Sequence, residues 1–171
     1  MPTSLLVAYA TRYQSTQEVA AAVAEDLRQA GLTVELRLLH DVRALDGYQA
    51  IVIGAPLFMF RWHKDAHRFL ARFRQEISDR PTAVFALGPV HDPHDEEEWQ
   101  NSWSQLEKAL AKYPWFHPVT LELFGGKYDP EKLRFPIKAL AGDAPATDIR
   151  DWPAIHAWAN EVAAKLDPVA G

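Results

Sequence analysis

The sequence predicts an α/β fold: a doubly wound, five-stranded parallel sheet with helices on both faces, in three α/β/α layers. Two observations support this prediction. Short apolar runs alternate along the chain with longer stretches in which apolar residues recur at helical spacing. Some of these runs, such as residues 5–8 and 50–53, are unbroken, which is typical of strands covered by helices on both faces. Because right-handed crossovers place helices on both faces of a parallel sheet, the alternation favours a doubly wound topology.

The first strand and the first helix follow each other closely in the sequence. The apolar residues 5–8 predict the strand. The helix is predicted to end near Gly31, a residue type that commonly follows helices, and its apolar positions recur at helical spacing: Val19, Val23 and Leu27. Ser15 and Glu18 have the spacing of a capping box, so we expect Ser15 to cap this helix.

The middle of the chain predicts two strands and a second helix. Residues 33–38 alternate apolar and polar side chains, which indicates a strand nearer a sheet edge. Residues 50–54 are apolar again and predict a buried third strand. We expect that strand to break at residues 54–56, Gly-Ala-Pro, and to be followed by a loop at residues 57–62. A helical stripe then covers residues 66–77.

The last part of the chain completes the alternation. Residues 81–87 predict the fourth strand, and the acidic residues 95–98 suit the start of the next helix, where the helix dipole favours negative charge. The fifth strand is predicted at residues 119–124. An irregular stretch, residues 127–150, precedes a last helix that begins near Asp151.

Length and composition indicate one domain, residues 1–171. The chain is 48% hydrophobic and 24% charged, which is enough for a single full core. We expect a cytoplasmic protein, because no run of about 18 apolar residues could span a membrane and no signal-peptide pattern precedes the first strand. The absence of cysteine excludes disulfides and cysteine nucleophiles. A net charge of −5 argues against nucleic acid as a partner.

A polar loop between the first strand and the first helix is the strongest candidate site. In this architecture, ligands bind beyond the carboxyl ends of the strands, where a helix N-terminus presents N–H groups and a positive dipole to an anion. The loop adds hydroxyl, amide and cationic side chains: Thr11, Arg12, Tyr13, Gln14, Ser15 and Thr16. It therefore predicts a phosphate site. The alternative is a helix cap without a ligand.

Two further loops are expected at the same edge of the sheet. The one after the third strand is mostly apolar and contains one cation: Pro56, Leu57, Phe58, Met59, Phe60, Arg61 and Trp62. The one after the fourth strand consists of Leu87, Gly88, Pro89, Val90 and His91. An apolar slot beside a phosphate site suits a phosphorylated flat aromatic ring. The alternative is that these aromatic residues form a satellite hydrophobic cluster or a contact with a second copy of the chain.

Two histidine pairs have spacings that a metal site could use, His63 with His67 and His91 with His94. Neither pair has a third ligand at a recognisable spacing. We therefore predict no metal site.

Three segments resemble the flavodoxin-domain proteins of the menaquinone-dependent protoporphyrinogen oxidase type. They are YATRYQSTQEVA after the first strand, VIGAPLFMFRW after the third, and DIRDWPAIHAWA at the last helix. The resemblance covers essentially the whole chain, including the irregular segment before the last helix. It implies a flavodoxin-like fold and FMN as cofactor. The FMN phosphate would lie at residues 11–16, with the isoalloxazine ring between residues 56–62 and residues 87–91.

This chain departs from the family's usual sequence at two positions near the implied flavin. The family usually has Gly where this chain has Gln14 and Phe60. Gly adopts positive φ values freely, whereas other residues do so at a cost. We therefore expect Phe60 to hold its loop in one conformation.

The resemblance implies an oxidoreductase that oxidises a porphyrinogen and passes electrons to a quinone. No catalytic base is required, because a flavin carries out the electron chemistry itself. Arg61, His63 and His91 are the cations expected to tune it. Two alternatives remain: a one-electron carrier of flavodoxin type and a flavin-free binding module that keeps the fold.

The segment at residues 127–140 mixes basic and apolar side chains. Its basic residues are Lys127, Lys132, Arg134 and Lys138. Such a patch is suited to peripheral contact with a membrane surface or with the carboxylates of a porphyrin. A plain surface loop is the alternative, because two prolines and a glycine interrupt the neighbouring sequence.

Overall fold

The computed structural model describes residues 4–133, 137, 139, 142 and 145–166. Its strands, in chain order, are β1 (Ser4–Tyr9), β2 (Thr33–Leu38), β3 (Ala50–Phe58), β4 (Arg61–Trp62), β5 (Thr82–Leu87), β6 (Thr120–Phe124), β7 (Lys127–Tyr128) and β8 (Thr147–Asp148). The main helices are α1 (Ser15–Gln29), α2 (Lys64–Arg72), α3 (Arg74–Ser78), α4 (Glu96–Leu110) and α5 (Trp152–Leu166).

The central sheet has the strand order β2-β1-β3-β5-β6, with every neighbouring pair parallel. The short strand β4 pairs antiparallel with the end of β3. The strand order reverses beside β1, so the switch point lies between β1 and β3. Ligands of open α/β sheets bind at such a point, beyond the carboxyl ends of the strands.

Helices cover both faces of this sheet. Successive side chains of a strand point to opposite faces, so each buried strand contributes apolar side chains to both. Leu5 and Val7 of β1 pack with the apolar faces of α1 and α5. Leu6 and Ala8 pack on the other side with α2, α3 and α4. The predicted three-layer, doubly wound α/β fold is confirmed.

β3 is longer than predicted, and the expected break at residues 54–56 is wrong. The strand passes through Gly54 and ends at Phe58. The ring of Phe85, on the neighbouring strand β5, occupies the place of a side chain at Gly54. Glycine in this strand therefore marks a close approach of a neighbour, not an end.

The second predicted helix, residues 66–77, is divided in two. Phe73 lies between α2 and α3 with φ −105° and ψ 28°, which is outside the helical range. The packing is nevertheless continuous, since Phe69, Phe73 and Ile77 are all buried in the same core cluster.

The irregular segment before α5 contains a small antiparallel ladder of β7 and β8. It docks on the sheet through backbone hydrogen bonds, from Gly126 N–H to the Pro89 carbonyl at 2.7 Å and from Ile149 N–H to the Gly126 carbonyl at 3.1 Å. Part of the predicted basic patch lies outside the described residues: Arg134 and Lys138. Within the described residues, no helix has the length and apolar character needed to cross a membrane.

Candidate functional site

The three predicted loops meet at the carboxyl ends of β1, β3 and β5 around one cavity of about 490 Å³. We call it the strand-end cavity. Twelve of the predicted site residues line it: Arg12, Tyr13, Ser15, Pro56, Leu57, Phe58, Met59, Phe60, Leu87, Gly88, Val90 and His91. Six others lie in the same loops without lining it: Thr11, Gln14, Thr16, Arg61, Trp62 and Pro89.

The loop at residues 11–16 contains a residue with a left-handed backbone directly before α1. Gln14 precedes α1 with φ 70°, and its side chain makes no capping hydrogen bond. Ser15, the expected cap, is already the first residue of α1, and Gln14 occupies the cap position. The predicted capping box is therefore wrong. The first N–H groups of a helix have no partners within the helix. The Gln14 side chain at the cap position accepts no hydrogen bond from these N–H groups, so they remain available to a ligand.

Two buried hydroxyl groups in this loop lack partners. The Oγ1 atoms of Thr11 and Thr16 are both inaccessible to solvent and have no hydrogen-bond partner among the described residues. A buried polar group without a partner is destabilising, and such groups often belong to a binding site. Together with the helix N-terminus, these hydroxyls fit a phosphate group.

The apolar slot is closed on one side by contacts between two loops. The Arg12 guanidinium lies 4.3 Å from the centroid of the Phe58 ring. The Tyr13 ring meets the same ring edge-on at 5.9 Å. Phe58 thus joins the loop at residues 11–16 to the loop after β3, and Arg12 is a cation that lies beside the slot.

Arg61 and Trp62 lie away from the slot. The Trp62 side chain is buried, and its indole N–H donates to the Ala55 carbonyl at 3.2 Å. Arg61 is exposed and faces a neighbouring groove. Trp62 lines the same groove, although its side chain is largely buried.

Met59 and Phe60 form the two-residue turn between β3 and β4. Both have positive φ, at 50° and 67°, as a type I′ hairpin turn requires. Their side chains are 59% and 83% exposed, so packing does not explain this conformation. The loop at Phe60 therefore holds a left-handed conformation that glycine would adopt without strain.

The third loop is held in place from two sides. The Val90 N–H donates to the Glu98 carboxylate at 2.8 Å, and the Val90 carbonyl accepts a hydrogen bond from the Thr147 hydroxyl. A side chain at Gly88 would come within 3.0 Å of Ser102. This loop is thereby fixed between α4 and the β7–β8 ladder.

Sequence reasoning missed two walls of the strand-end cavity. One is the face of α4, and the other is the segment after β6. Their lining residues are Asp95, Glu97, Glu98, Asn101, Ser102, Gln105, Gly126, Lys127, Tyr128, Asp129 and Leu133. Four-residue spacing relates Glu97, Asn101 and Gln105, and this spacing on a helix beginning just after the third loop was the available signal.

Arg150 connects the segment before α5 to the start of α1. Its side chain is only 4% exposed and pairs with Asp148 at 2.7 Å and with Glu18 at 3.4 Å. It also donates to the Ser15 carbonyl at 3.4 Å. The hydrogen bond from Arg150 lowers the pKa of Asp148 and correspondingly raises the pKa of Arg150. Sequence analysis did not single out this contact with the loop at residues 11–16.

The histidine pairs make other contacts. His63 Nδ1 accepts a hydrogen bond from the Asp65 N–H at 3.1 Å, and His67 Nδ1 lies 2.6 Å from the Tyr113 hydroxyl. Burial lowers the pKa of both imidazoles. Among the described residues, no group of three or more potential ligands could hold a metal ion. The His91 ring packs 5.5 Å from the Tyr128 ring at the edge of the cavity.

Comparisons with known proteins agree with this fold. A family model described as "Flavodoxin domain" matches residues 6–140. Protoporphyrinogen IX dehydrogenase [quinone] of Escherichia coli strain K12 is 23% identical over 179 residues, covering 95% of this chain and 96% of that protein.

Solved structures share the fold. A short-chain flavodoxin associated with a bacterial microcompartment has a TM-score of 0.61 at 15% identity, with 99% of each chain covered. A flavodoxin from the domain Archaea has a TM-score of 0.58 at 13% identity, with 96% of this chain and 99% of that chain covered. These findings bear out the resemblance that the three sequence segments indicated.

Proposed function

This chain belongs to the flavodoxin-domain family, and from that premise we propose that it binds FMN at the strand-end cavity and acts as an oxidoreductase. FMN, when bound, supplies the electron chemistry, because the flavin can take up and release electrons. The observation that carries the proposal is the pair of buried, unpartnered hydroxyls of Thr11 and Thr16 at a helix N-terminus beside an apolar cavity.

The first contribution of the protein would be to bind the phosphate group of FMN. The first N–H groups of α1 and the hydroxyls of Thr11 and Thr16 would donate hydrogen bonds to it. Burial keeps water away from this environment, so those hydrogen bonds would be strong.

The second contribution is the wall that faces the flat ring. Leu57, Phe58 and Leu87 give apolar surface, and Arg12 over Phe58 places a cation beside it. Glu97 and Glu98 lie across the cavity and disfavour additional negative charge there. The balance between the cations Arg12 and Lys127 and these carboxylates would set how readily the ring accepts electrons.

The proposed electron donor is a porphyrinogen and the acceptor is a quinone. The similarity to the Escherichia coli protoporphyrinogen dehydrogenase, at nearly complete coverage of both chains, supports this assignment. The second candidate is an electron carrier that docks on a redox partner. The exposed Met59 and Phe60 at the cavity mouth favour it, since such side chains are common at protein contacts.

Titration of the apoprotein with FMN and riboflavin tests the cofactor. We expect visible flavin absorption in the reconstituted protein and roughly 10- to 100-fold tighter binding of FMN, because charge-assisted hydrogen bonds to the phosphate contribute about 1.5–3 kcal/mol. Equal affinity for the two compounds would show that residues 11–16 are not the phosphate site. A protein that retains no flavin absorption after incubation with FMN and removal of the unbound flavin would contradict the whole proposal.

Anaerobic turnover separates the enzyme from the carrier. The reconstituted enzyme should reduce a soluble quinone at the expense of a porphyrinogen without any added protein. If electrons pass only when a second redox protein is present, the carrier function is correct instead.

A further inference from the structure

A second concave surface lies beside the strand-end cavity, between the β3–β4 hairpin, α2 and the C-terminal half of α4. Its volume is about 1030 Å³. Its charged lining residues are all Lys or Arg: Arg61, Lys64, Arg68, Lys108 and Lys112. We call it the basic groove. This concentration of positive charge is notable because the chain as a whole carries a net charge of −5.

The positive charge of this groove is largely uncompensated. Among the described residues, its lining contains no Asp or Glu. Of its five cations, Arg68 alone has a carboxylate within 4 Å in the described part of the chain, and that is Asp65 at 3.8 Å. Lys64, Lys108 and Lys112 are exposed to solvent at the rim and walls. Side chains of one sign around a concavity reinforce one another's field and attract an anion into it.

The basic groove is continuous with the strand-end cavity. Phe60, Asn101 and Gln105 line both. The charge reverses along α4 at this boundary: Glu97 lies in the strand-end cavity, and Lys108 in the groove. An anion at this mouth is therefore repelled from one side and attracted to the other.

We propose that the basic groove binds the acidic groups of a flat organic polyanion, a molecule with two or more carboxylates or similar anionic groups on an aromatic body. Phe60, 83% exposed at the shared boundary, offers its ring to that body. A molecule held in this way reaches the strand-end cavity with its uncharged part while its anionic groups stay in the groove. The assignment of this molecule as a substrate rests on the proposed function; its binding does not.

The concave shape favours a small molecule over a protein. Arg61 and Lys64 lie on one wall and Lys108 and Lys112 on the other, so the cations converge on a space and not on a flat surface. Two or more anionic groups on a rigid ring can contact both walls at once, which gives an affinity that a single anion does not reach.

Calorimetric titration with benzene-1,2,4,5-tetracarboxylate tests the proposal in the full chain, reconstituted with FMN and then freed of unbound flavin. We expect saturable binding, and no binding of the uncharged tetramide. Lys108→Glu should weaken it about ten-fold or more, because an attraction becomes a repulsion. The control is Lys165→Glu, which makes the same charge change on α5, on the opposite face of the sheet, and there also replaces the 2.9 Å ion pair with Glu161 by a repulsion. It should leave the affinity within about two-fold.

Two further arms locate the ligand's parts. Phe60→Ala should weaken the tetracarboxylate but not inorganic pyrophosphate, which has no ring. Pyrophosphate that binds as tightly as the tetracarboxylate would overturn the proposed aromatic body. Equal losses in Lys108→Glu and Lys165→Glu, or no binding of the tetracarboxylate, would overturn the site. Lys108→Glu should keep the FMN affinity, so a failure here is distinct from a failure of FMN binding.

Discussion

The strand-end cavity and the basic groove share one wall but are built from different parts of the fold. Loops at the carboxyl ends of strands form the first, and the faces of α2 and α4 with one hairpin form the second. The first contains Asp95, Glu97 and Glu98. The second is lined by no acidic residue in the part of the chain that the structure describes. The difference shows that the sheet topology determines where the strand-end cavity lies. The basic groove is set apart from other surface concavities only by the charges of its side chains.

This difference follows from what each cavity requires. A site at the switch point exists in any doubly wound sheet, because the loops diverge there. A charged groove between helices depends on individual side chains that the fold does not need. The strand-end cavity should therefore tolerate few substitutions, and the basic groove should change its charge at little cost in stability.

The largest expected effect is the selective loss of FMN from the first cavity. Ser15→Glu places a carboxylate at the first residue of α1, beside the proposed phosphate. We expect at least ~100-fold weaker FMN binding, because two negative charges then lie close together in a partly buried site. The fold should persist, since a carboxylate in the first turn favours the helix by about 0.3–1 kcal/mol.

The control for this variant is Ser15→Gln, which has nearly the same size as Glu and no charge. Both proteins are titrated with FMN and with benzene-1,2,4,5-tetracarboxylate. The tetracarboxylate affinity should be unaltered in both, because Ser15 does not line the basic groove. Equal loss of FMN in the two variants would mean that size, not charge, matters, and the phosphate assignment would be wrong.

A smaller effect is expected where the β7–β8 ladder docks on the first cavity. A Cβ at Gly125 would lie 2.5 Å from the Ile149 carbonyl oxygen, a backbone atom that cannot turn away. Gly125→Ala should lower the free energy of unfolding by about 1–3 kcal/mol and weaken FMN binding, with the tetracarboxylate affinity kept. Chemical denaturation and the two titrations measure this.

Gly126→Ala is the graded comparison. A Cβ there meets Val90 Cγ1 at 3.2 Å, a side-chain atom that can shift. It should destabilise the protein less than Gly125→Ala. The reverse order would show that the ladder is not held by this close approach.

The sequence predicted the sheet well because each buried strand has its own local signal, such as the unbroken apolar residues of β1. It also predicted the three loops, since their position follows from strand direction. It failed where tertiary contacts decide. Gly54 resembles a strand end until Phe85 is known to fill its place. Glu18 resembles half of a capping box until Arg150 is seen to pair with it.

The basic groove had no local signal for the same reason. Arg61 and Lys64 are separated from Lys108 by more than forty residues, and only the packing of α4 beside the hairpin brings them together. Arg61 itself was assigned to the flavin. β4 pairs with the end of β3, and there Arg61 lines the groove and not the strand-end cavity.

The smallest expected effect separates two of the three non-glycine residues that have a left-handed backbone in the described part of the chain, Gln14 beside the first cavity and Phe60 at the boundary of both. Each has positive φ, which disfavours a non-glycine residue by about 1–2 kcal/mol, while glycine loses roughly 0.5–1 kcal/mol more conformational freedom on folding. Gln14→Gly and Phe60→Gly should thus each raise the free energy of unfolding by about 0.5 kcal/mol, since both side chains are exposed. Gln17→Gly, inside α1, should instead lower it by about 1 kcal/mol.

The two stabilised variants should differ in binding: Gln14→Gly keeps the tetracarboxylate affinity, whereas Phe60→Gly loses the ring contact and weakens it. Denaturation curves with both titrations give the result. A destabilised Phe60→Gly would show that its ring packs in a way that an exposed side chain does not, and the boundary between the cavities would then be structural rather than a place for a ligand.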